Sequence, residues 1–298
     1  MQAVTITPGK AHSLDLRGDH PSPELSTIDA GDGVLVRVLQ VGLCGTDREI
    51  IEGLYGAAPD GSSYLVLGHE NLGVVEAVGP AVTQFSPGDL VVSMVRRPGN
   101  SLYDLVGAYD LTTDDVYREC GINLLHGFLT ERYAASEKFL IKAPRVLSDI
   151  GVLLEPMSVI EKGVAHALNV QRRLPLWNVE RAAVLGAGPI GLLATMLLRL
   201  RNMEVVTFAL PEQPNLNATL AEQVGAQYVS ARQKSFRETS AELGPFDLIF
   251  EATGHAPLLF EAMEVLGKNG VLVASGLSGG GRNVTIPADA INTGFVLH

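Results

Sequence analysis

Only two cysteines occur among 298 residues, so no disulfide framework can staple the chain, and a reducing compartment is expected. Basic clusters are missing as well: Arg96-Arg97 and the segment Arg199 to Arg201 are too short to form a patch. With a net charge of −11, this excludes nucleic acid as a partner, because phosphate backbones recruit clustered cations. The longest apolar stretch, Leu192 to Leu198, is far too short to span a bilayer. Met1 to Thr7 alternates as a strand and lacks the charged start and long apolar core of a signal peptide. No internal repeat is visible. The expectation is a cytoplasmic protein with neither a membrane nor a nucleic acid as partner. Hydrophobic content of 46% and charged content of 18% describe a folded chain. Its length suits two domains, each burying its own core.

The first half reads as short strands divided by Gly and Pro. Val34 to Val41, Asn71 to Val78 and Leu90 to Val95 are apolar runs, the last after the turn Ser86-Pro87-Gly88-Asp89. This spacing predicts a mostly antiparallel β-domain. Pro98 to Val116 is polar and Asp-rich, and reads as a surface lobe. From Ser148 the period changes: Ser148 can cap a helix carrying Val152, Val159, Val164 and Leu168. Beyond Trp177, strands are predicted at Ala182 to Leu185, Glu204 to Phe208, Gln227 to Val229, Phe246 to Phe250 and Gly270 to Ala274. Helices are predicted between them at Ile190 to Leu200, Ala218 to Val224 and Leu258 to Leu266. Such alternation predicts a doubly wound parallel sheet, one strand short of the usual six.

Two kinds of chemistry stand out. Cys44 lies in Gly42-Leu43-Cys44-Gly45-Thr46-Asp47, His69 and Glu70 in Gly68-His69-Glu70, and Glu155 in Glu155-Pro156-Met157-Ser158. Singly, each has an ordinary explanation: a lone cysteine is usually a small buried hydrophobe, and a lone histidine a satisfied core residue. Glu155 is harder to explain in that way, because it follows Leu153-Leu154 and a buried carboxylate needs a partner. Together, thiolate, imidazole and carboxylate suit zinc with one position left open. Thr46 could pass a proton outward from a metal-side alcohol, or simply end a strand or cap a helix. The second signal is Gly186-Ala187-Gly188-Pro189-Ile190-Gly191, between a predicted strand and a predicted helix. Here Gly186 suits a tight turn, Gly188 close approach to a pyrophosphate, and Gly191 packing of helix on strand. A Lewis acid and a nicotinamide together are equipment for oxidising an alcohol. At the end of the second strand, Phe208-Ala209-Leu210-Pro211-Glu212 offers no arginine to a 2′-phosphate. NAD, or use of both cofactors, is favoured; an NADP preference would need a cation such as Arg232 or Lys234.

These motifs together resemble the zinc-dependent medium-chain dehydrogenase/reductase superfamily. Glu119-Cys120-Gly121-Ile122, His126-Gly127-Phe128, Glu155 to Lys162 and Phe295-Val296-Leu297-His298 resemble its glucose dehydrogenase branch. The resemblance implies an α/β chain with a GroES-like catalytic zinc domain over 1–150 and a Rossmann dinucleotide-binding domain over 151–298. It further implies that the second domain is C-terminally incomplete, without its last strand and return segment. Cys44, His69 and Glu155 would be zinc ligands, with Glu70 beside the metal as an alternative. Thr46, Glu119 and His298 would border the substrate. Gly186, Ala187, Gly188, Pro189, Ile190 and Gly191 would hold the cofactor, with Thr253, Ser275, Gly276 and Leu277 lining it. Many members carry a second, structural zinc on four cysteines, but Cys120 stands alone between Arg96 and Cys120, so one catalytic zinc is expected. NADP-favouring members of the branch carry arginines where this chain has Leu210 and Pro211. The implied reaction is hydride transfer from C1 of a glucose-like aldose to NAD or NADP, giving a lactone, in a homo-oligomer (dimer or tetramer). The alternatives are a polyol, threonine or simple-alcohol dehydrogenase, and a non-catalytic nucleotide-binding protein.

Overall fold

Apolar runs bounded by glycine become paired strands in the first half of the chain. In the computed structural model, which describes residues 1–28, 31–276, 285 and 294–297, the chain divides into Met1–Glu155 and Pro156–His298. In the first unit the strands are β1 (Ala3–Ile6), β2 (Asp15–Arg17), β3 (Gly33–Gly42), β4 (Leu65–Val66), β5 (Glu70–Val78), β6 (Leu90–Ser93), β7 (Arg96–Arg97), β8 (Arg118–Cys120), β9 (Leu124–Leu125), β10 (Arg132–Ser136) and β11 (Leu140–Ala143). Helix α1 (Gly45–Ile51) follows β3, and the short α2 (Leu102–Leu105) follows β7. The central antiparallel sheet runs β10-β3-β5-β6-β11, flanked by β2-β1-β4 and β7-β8-β9. Val34, Val36, Val75, Val91 and Tyr133 form its core. Asn71 is fully buried and stitches three strands. Its amide donates to the Ser93 carbonyl at 3.2 Å, and its oxygen accepts from Ser93 N–H at 3.1 Å and Tyr133 O–H at 2.9 Å.

The lobe after β7 is held by one carboxylate. Asp104 accepts from the Ser101 N–H at 3.0 Å, the Ser101 hydroxyl at 2.6 Å and the Thr112 hydroxyl at 2.6 Å. These bonds hold Asp104 at a pKa of about 2. Leu102, Leu105 and Val106 around it are exposed, as a surface lobe requires.

Helix α3 (Leu154–Gln171) leads into the second unit. It starts five residues later than a cap at Ser148 predicts, after a 3₁₀ turn at Gly151–Leu153. Pro156 explains the offset: lacking an N–H, it belongs in the first helical turn. Ile160, Val164 and Ala167 then pack into the core, whereas Val159 is exposed.

The second unit alternates β12 (Arg181–Leu185), α4 (Pro189–Leu200), β13 (Glu204–Ala209), α5 (Leu216–Gln223), β14 (Gln227–Ser230), α6 (Phe236–Leu243), β15 (Phe246–Glu251), α7 (Ala256–Val265), β16 (Leu266–Ala274) and β17 (Gly294–Leu297). Its parallel sheet has the order β14-β13-β12-β15-β16-β17, the doubly wound order with its switch point between β12 and β15. Alternate residues serve opposite faces: Ala182 and Val184 join one core, Ala183 and Leu185 the other. Two expectations need correction. The sheet has its sixth strand, because Gly294–Leu297 pairs in parallel with β16; four residues are too few for periodicity to show. Helix α6 was not expected, yet Ser235 and Glu238 form a capping box at its start. No helix among the described residues is long and apolar enough to cross a membrane.

An acid-sensitive contact sits beside β4. His126 Nδ1 accepts the Val66 N–H at 3.1 Å, Tyr64 stacks on its ring, and His20 meets both edge-on. Burial, and then the charge of His20, push His126 down to about 4 from its ordinary 6.5. Burial, then the terminal amine and Arg17, lower His20 against the opposing pull of Asp19. An unfolded chain protonates these rings near 6.5, whereas the folded chain keeps His126 neutral until about 4. Stability from this contact is therefore complete above 6.5 and lost as pH falls towards 4. Urea denaturation at about pH 7.5 and about pH 4.5 should show a smaller acid loss for His126→Asn than for wild type. Equal losses would assign the acid sensitivity to other groups.

Candidate metal centre and dinucleotide site

The strand β3 ends in a turn that makes Cys44 the N-cap of α1. Its sulfur accepts the Thr46 N–H at 3.3 Å, and the Asp47 carboxylate accepts the Cys44 N–H at 2.9 Å. This is a capping box with cysteine in place of serine. The other Asp47 oxygen accepts the Gly68 N–H at 3.2 Å, which ties the start of α1 to the start of β5. Gly68 has φ +82°, and a Cβ there would come within 2.6 Å of Val41. The turn delivers His69 with Nε2 3.3 Å from Cys44 Sγ and Nδ1 3.6 Å from Asp47 Oδ2, the latter an ion-pair distance. Glu70 follows, its carboxylate over Gly42, where any Cβ would collide with it. Glu155 arrives from the first turn of α3.

Two overlapping sets of donors result, Cys44–Asp47–His69 and His69–Glu70–Glu155, each with its donor atoms within 4.8 Å of one another. Asp47 already serves two N–H groups, so its part is to orient His69. That is the usual support for a metal-ligating imidazole. Zinc bonds of about 2.3 Å to sulfur and about 2.0 Å to nitrogen at a tetrahedral angle put those donors about 3.5 Å apart. The observed 3.3 Å fits. Electrostatics point the same way. Burial raises Glu155 to about 7, His69 opposing and Glu70 adding to the rise. Burial also raises Glu70. For His69, burial opposes the charge, but Asp47 and Cys44 outweigh it and hold the imidazole at about 11. Crowded carboxylates in such surroundings take up a proton more readily, and a bound cation would compete with that proton.

Thr46 lies in the first turn of α1, beside Cys44. Glu119 lies in β8, opposite Arg96 of β7, whose Nη2 is 2.8 Å from Glu119 Oε1. The Glu119 charge contributes to the rise of Glu155. His298 and Leu277 lie outside the described residues. Asp47 is the residue that motif reading passed over; a carboxylate three residues after a helix-capping position was its signal.

In the second unit, β12 ends at Gly186, whose φ of +107° needs glycine, and whose N–H donates to the Phe208 carbonyl at 2.8 Å. Gly188 caps α4, with Pro189 in its first turn. A Cβ on Gly191 would collide with the Gly186 carbonyl. Gly186, Ala187, Gly188 and Thr253 line a cavity of about 660 Å³ that continues along Leu210 to Glu261. Pro189, Ile190 and Gly191 belong to the helix, and Ile190 packs on the core. The buried Glu251 accepts Thr253 N–H at 2.6 Å and Gly254 N–H at 3.1 Å, while its own carbonyl accepts from Ser275 at 2.9 Å and Gly276 at 3.2 Å. Its side chain and backbone therefore hold both turns.

The alcohol dehydrogenase GroES-like domain model matches residues 30–145, and the glucose dehydrogenase C-terminus model matches residues 148–298. The glucose 1-dehydrogenase of Methanocella arvoryzae is 42% identical, over 100% of this chain and 82% of its own length. That of Thermoproteus tenax is 43% identical, over 93% of this chain and 76% of its own. The chain belongs to the zinc-dependent medium-chain dehydrogenases, in the glucose dehydrogenase branch. A solved structure of Haloferax mediterranei glucose dehydrogenase, in complex with NADP, Zn and gluconolactone, matches the enzyme with TM-score 0.88 and 31% identity. The match covers 99% of this chain and 84% of that one. Membership accounts for both halves of the donor and cofactor chemistry. The lining of the enzyme's cavity still differs in kind from a phosphate site: its charged lining side chain among the described residues is the acid Glu261.

Metal analysis of the purified enzyme should find about one zinc per chain, most of it lost in Cys44→Ala. Asp47→Asn keeps the shape but drops the charge facing His69. Chelator competition should show zinc held about ten- to a hundredfold more weakly. Unchanged affinity would reduce Asp47 to a helix cap.

Proposed function

We propose that the enzyme oxidises glucose, or an aldose like it, at C1, giving the lactone, the reduced nicotinamide cofactor and a proton. The observation that carries this is the pair of overlapping, partly buried donor sets that bring in Cys44, His69, Glu70 and Glu155, in a chain that also has a glycine turn at the start of α4. Bound zinc supplies a Lewis acid that makes the C1 hydroxyl more acidic, and the nicotinamide accepts the hydride.

The protein's own residues do the rest. Cys44, His69 and Glu155 would hold the metal, with Glu70 beside it, and Asp47 fixes the ring of His69 so that Nε2 faces the sulfur. Thr46, anchored to that sulfur through its N–H, would take the hydroxyl proton and pass it outward. Glu119 would accept a hydrogen bond from another sugar hydroxyl, and His298 would serve a further one. In the second unit, the N–H groups at the start of α4 would receive the pyrophosphate without a cationic side chain. Family resemblance and the two free cysteines support a cytoplasmic homo-oligomer. Initial rates on a panel of aldoses, polyols and short alcohols, with NAD and with NADP, test the reading; a short alcohol turned over better than any aldose would overturn it.

Glu119 separates sugar from simple alcohol. Glu119→Ala removes a charge-assisted hydrogen bond of about 1.5–3 kcal/mol, so kcat/KM for the preferred aldose should fall about ten- to a hundredfold. A short alcohol should hardly respond, and zinc content should stay unchanged. Equal losses on both substrates would make Glu119 a structural residue.

The cofactor follows from charge. No lysine or arginine is among the described residues lining the cavity, and Glu261 would repel a 2′-phosphate. NAD should bind at least as well as NADP, and Leu210→Arg should shift the balance towards NADP by about ten- to a hundredfold. Titration of both cofactors by calorimetry checks this. A wild-type NADP preference above about a hundredfold would show that a cation reaches the ribose from elsewhere.

A further inference from the structure

A second polar cluster in the first unit takes no part in the metal chemistry. Arg96 pairs with Glu119 at 2.8 Å, and its guanidinium lies 4.9 Å from the ring centre of Tyr117. The Tyr117 hydroxyl bonds the Tyr55 hydroxyl. Backbone bonds fix the group: Asn123 and Glu119 exchange two of 2.9 Å, and the Asn123 amide donates to the Tyr117 carbonyl at 2.8 Å. The ion pair is no loose surface contact, since the side chains of Arg96 and Glu119 are 26% and 18% exposed. Tyr55 is half-exposed and stands just after α1, the helix that Cys44 caps. Glu119 is within electrostatic reach of both Glu155 and Tyr55.

The geometry points to this cluster as the wall that recognises the sugar's remaining hydroxyls, with Arg96 as the positioning residue for Glu119 and the Tyr55–Tyr117 pair as further hydroxyl partners. This rests on the reading of the substrate as an aldose. Arginine suits the task because its planar fork can hold one carboxylate oxygen while its face lies on an aromatic ring. Arg96 engages Oε1, which directs the rest of the carboxylate to accept from a substrate. In the tyrosine pair one O–H proton is spent between the rings, the other can donate, and both oxygens can accept. A pyranose offers such donors and acceptors around its ring. A short alcohol offers none beyond the reacting hydroxyl, so the wall acts only on polyhydroxylated substrates.

The test compares Arg96→Lys, Tyr55→Phe, Tyr117→Phe and Glu119→Ala in the full chain, with zinc content and thermal midpoint measured alongside. Arg96→Lys keeps the charge but loses the fork and the stacking. It should raise KM for glucose about tenfold with a much smaller change in kcat, and weaken inhibition by the lactone product in parallel. Each phenylalanine variant should raise the same KM by a few fold, and all should leave short-alcohol kinetics and zinc content alone. If Glu119→Ala leaves glucose kinetics untouched, the aldose reading of the site itself fails. If Glu119→Ala acts but Arg96→Lys and both phenylalanine variants behave as wild type, the wall is structural and this inference fails. Equal damage to glucose and short-alcohol turnover by Arg96→Lys would also overturn it.

Discussion

The buried carboxylate of Asp47 is the constraint on which the metal centre depends. It is 1% exposed, and such a charge is tolerated only when it is fully engaged. Its partners are the N–H of Cys44, the N–H of Gly68 and the imidazole of His69. Satisfying it forces the start of α1 and the start of β5 into one arrangement. The same contacts that pay for its burial aim Cys44 and His69 at each other. Glycine is required where that convergence is tightest, at Gly68 beside Val41 and at Gly42 beneath the Glu70 carboxylate. The donors are thus held by helix capping and strand geometry, which reduces what metal binding must reorganise.

The two units solve opposite electrostatic problems with different materials. The first collects anionic donors around a cation and needs side chains, because thiolate, imidazole and carboxylate supply the charge and the softness. The second would receive an anion and need almost none, because the free N–H groups and dipole at the start of α4 suit one. This is why a chain of net charge −11 can bind a dinucleotide without a basic patch. It also leaves the ribose end of the cavity to decide which cofactor fits, since nothing at the pyrophosphate distinguishes them.

The geometry of the turn after β12 was legible because its determinants are local: Gly186, Pro189 and Gly191 each answer a steric demand within six residues. The strands around Val34 and Asn71 were legible from their apolar runs. Cys44, His69 and Glu155 could be named as types, but the approach of Cys44 to His69 depends on the start of α1 meeting the start of β5, which no local pattern encodes. Asp47 was hidden by its ordinary appearance, since most acids near a helix start only cap it. The pairing of Glu119 with Arg96 could not be read, because β7 and β8 are only two and three residues long. Helix α6 escaped because Arg237, Glu238, Thr239 and Ser240 dilute its apolar face, and the last strand because it is so short.

The lobe after β7 shows how one function can be kept apart from another. Here Asp104 gathers Ser101 and Thr112, and Asp114 accepts the Asn100 N–H at 2.5 Å. All these partners lie within fourteen residues of one another, so the loop closed is short and its entropy cost small. Bonds of this kind tie the lobe together through its own side chains and backbone. In the proposed reading, loss of zinc bears on Cys44, His69 and Glu155, whereas the lobe and the adjoining β7–β8 pair, with Arg96 against Glu119, have protein partners of their own. The Arg96–Glu119 pair and the donors around Asp47 thus rest on separate supports within one unit, so that substitutions can address each on its own.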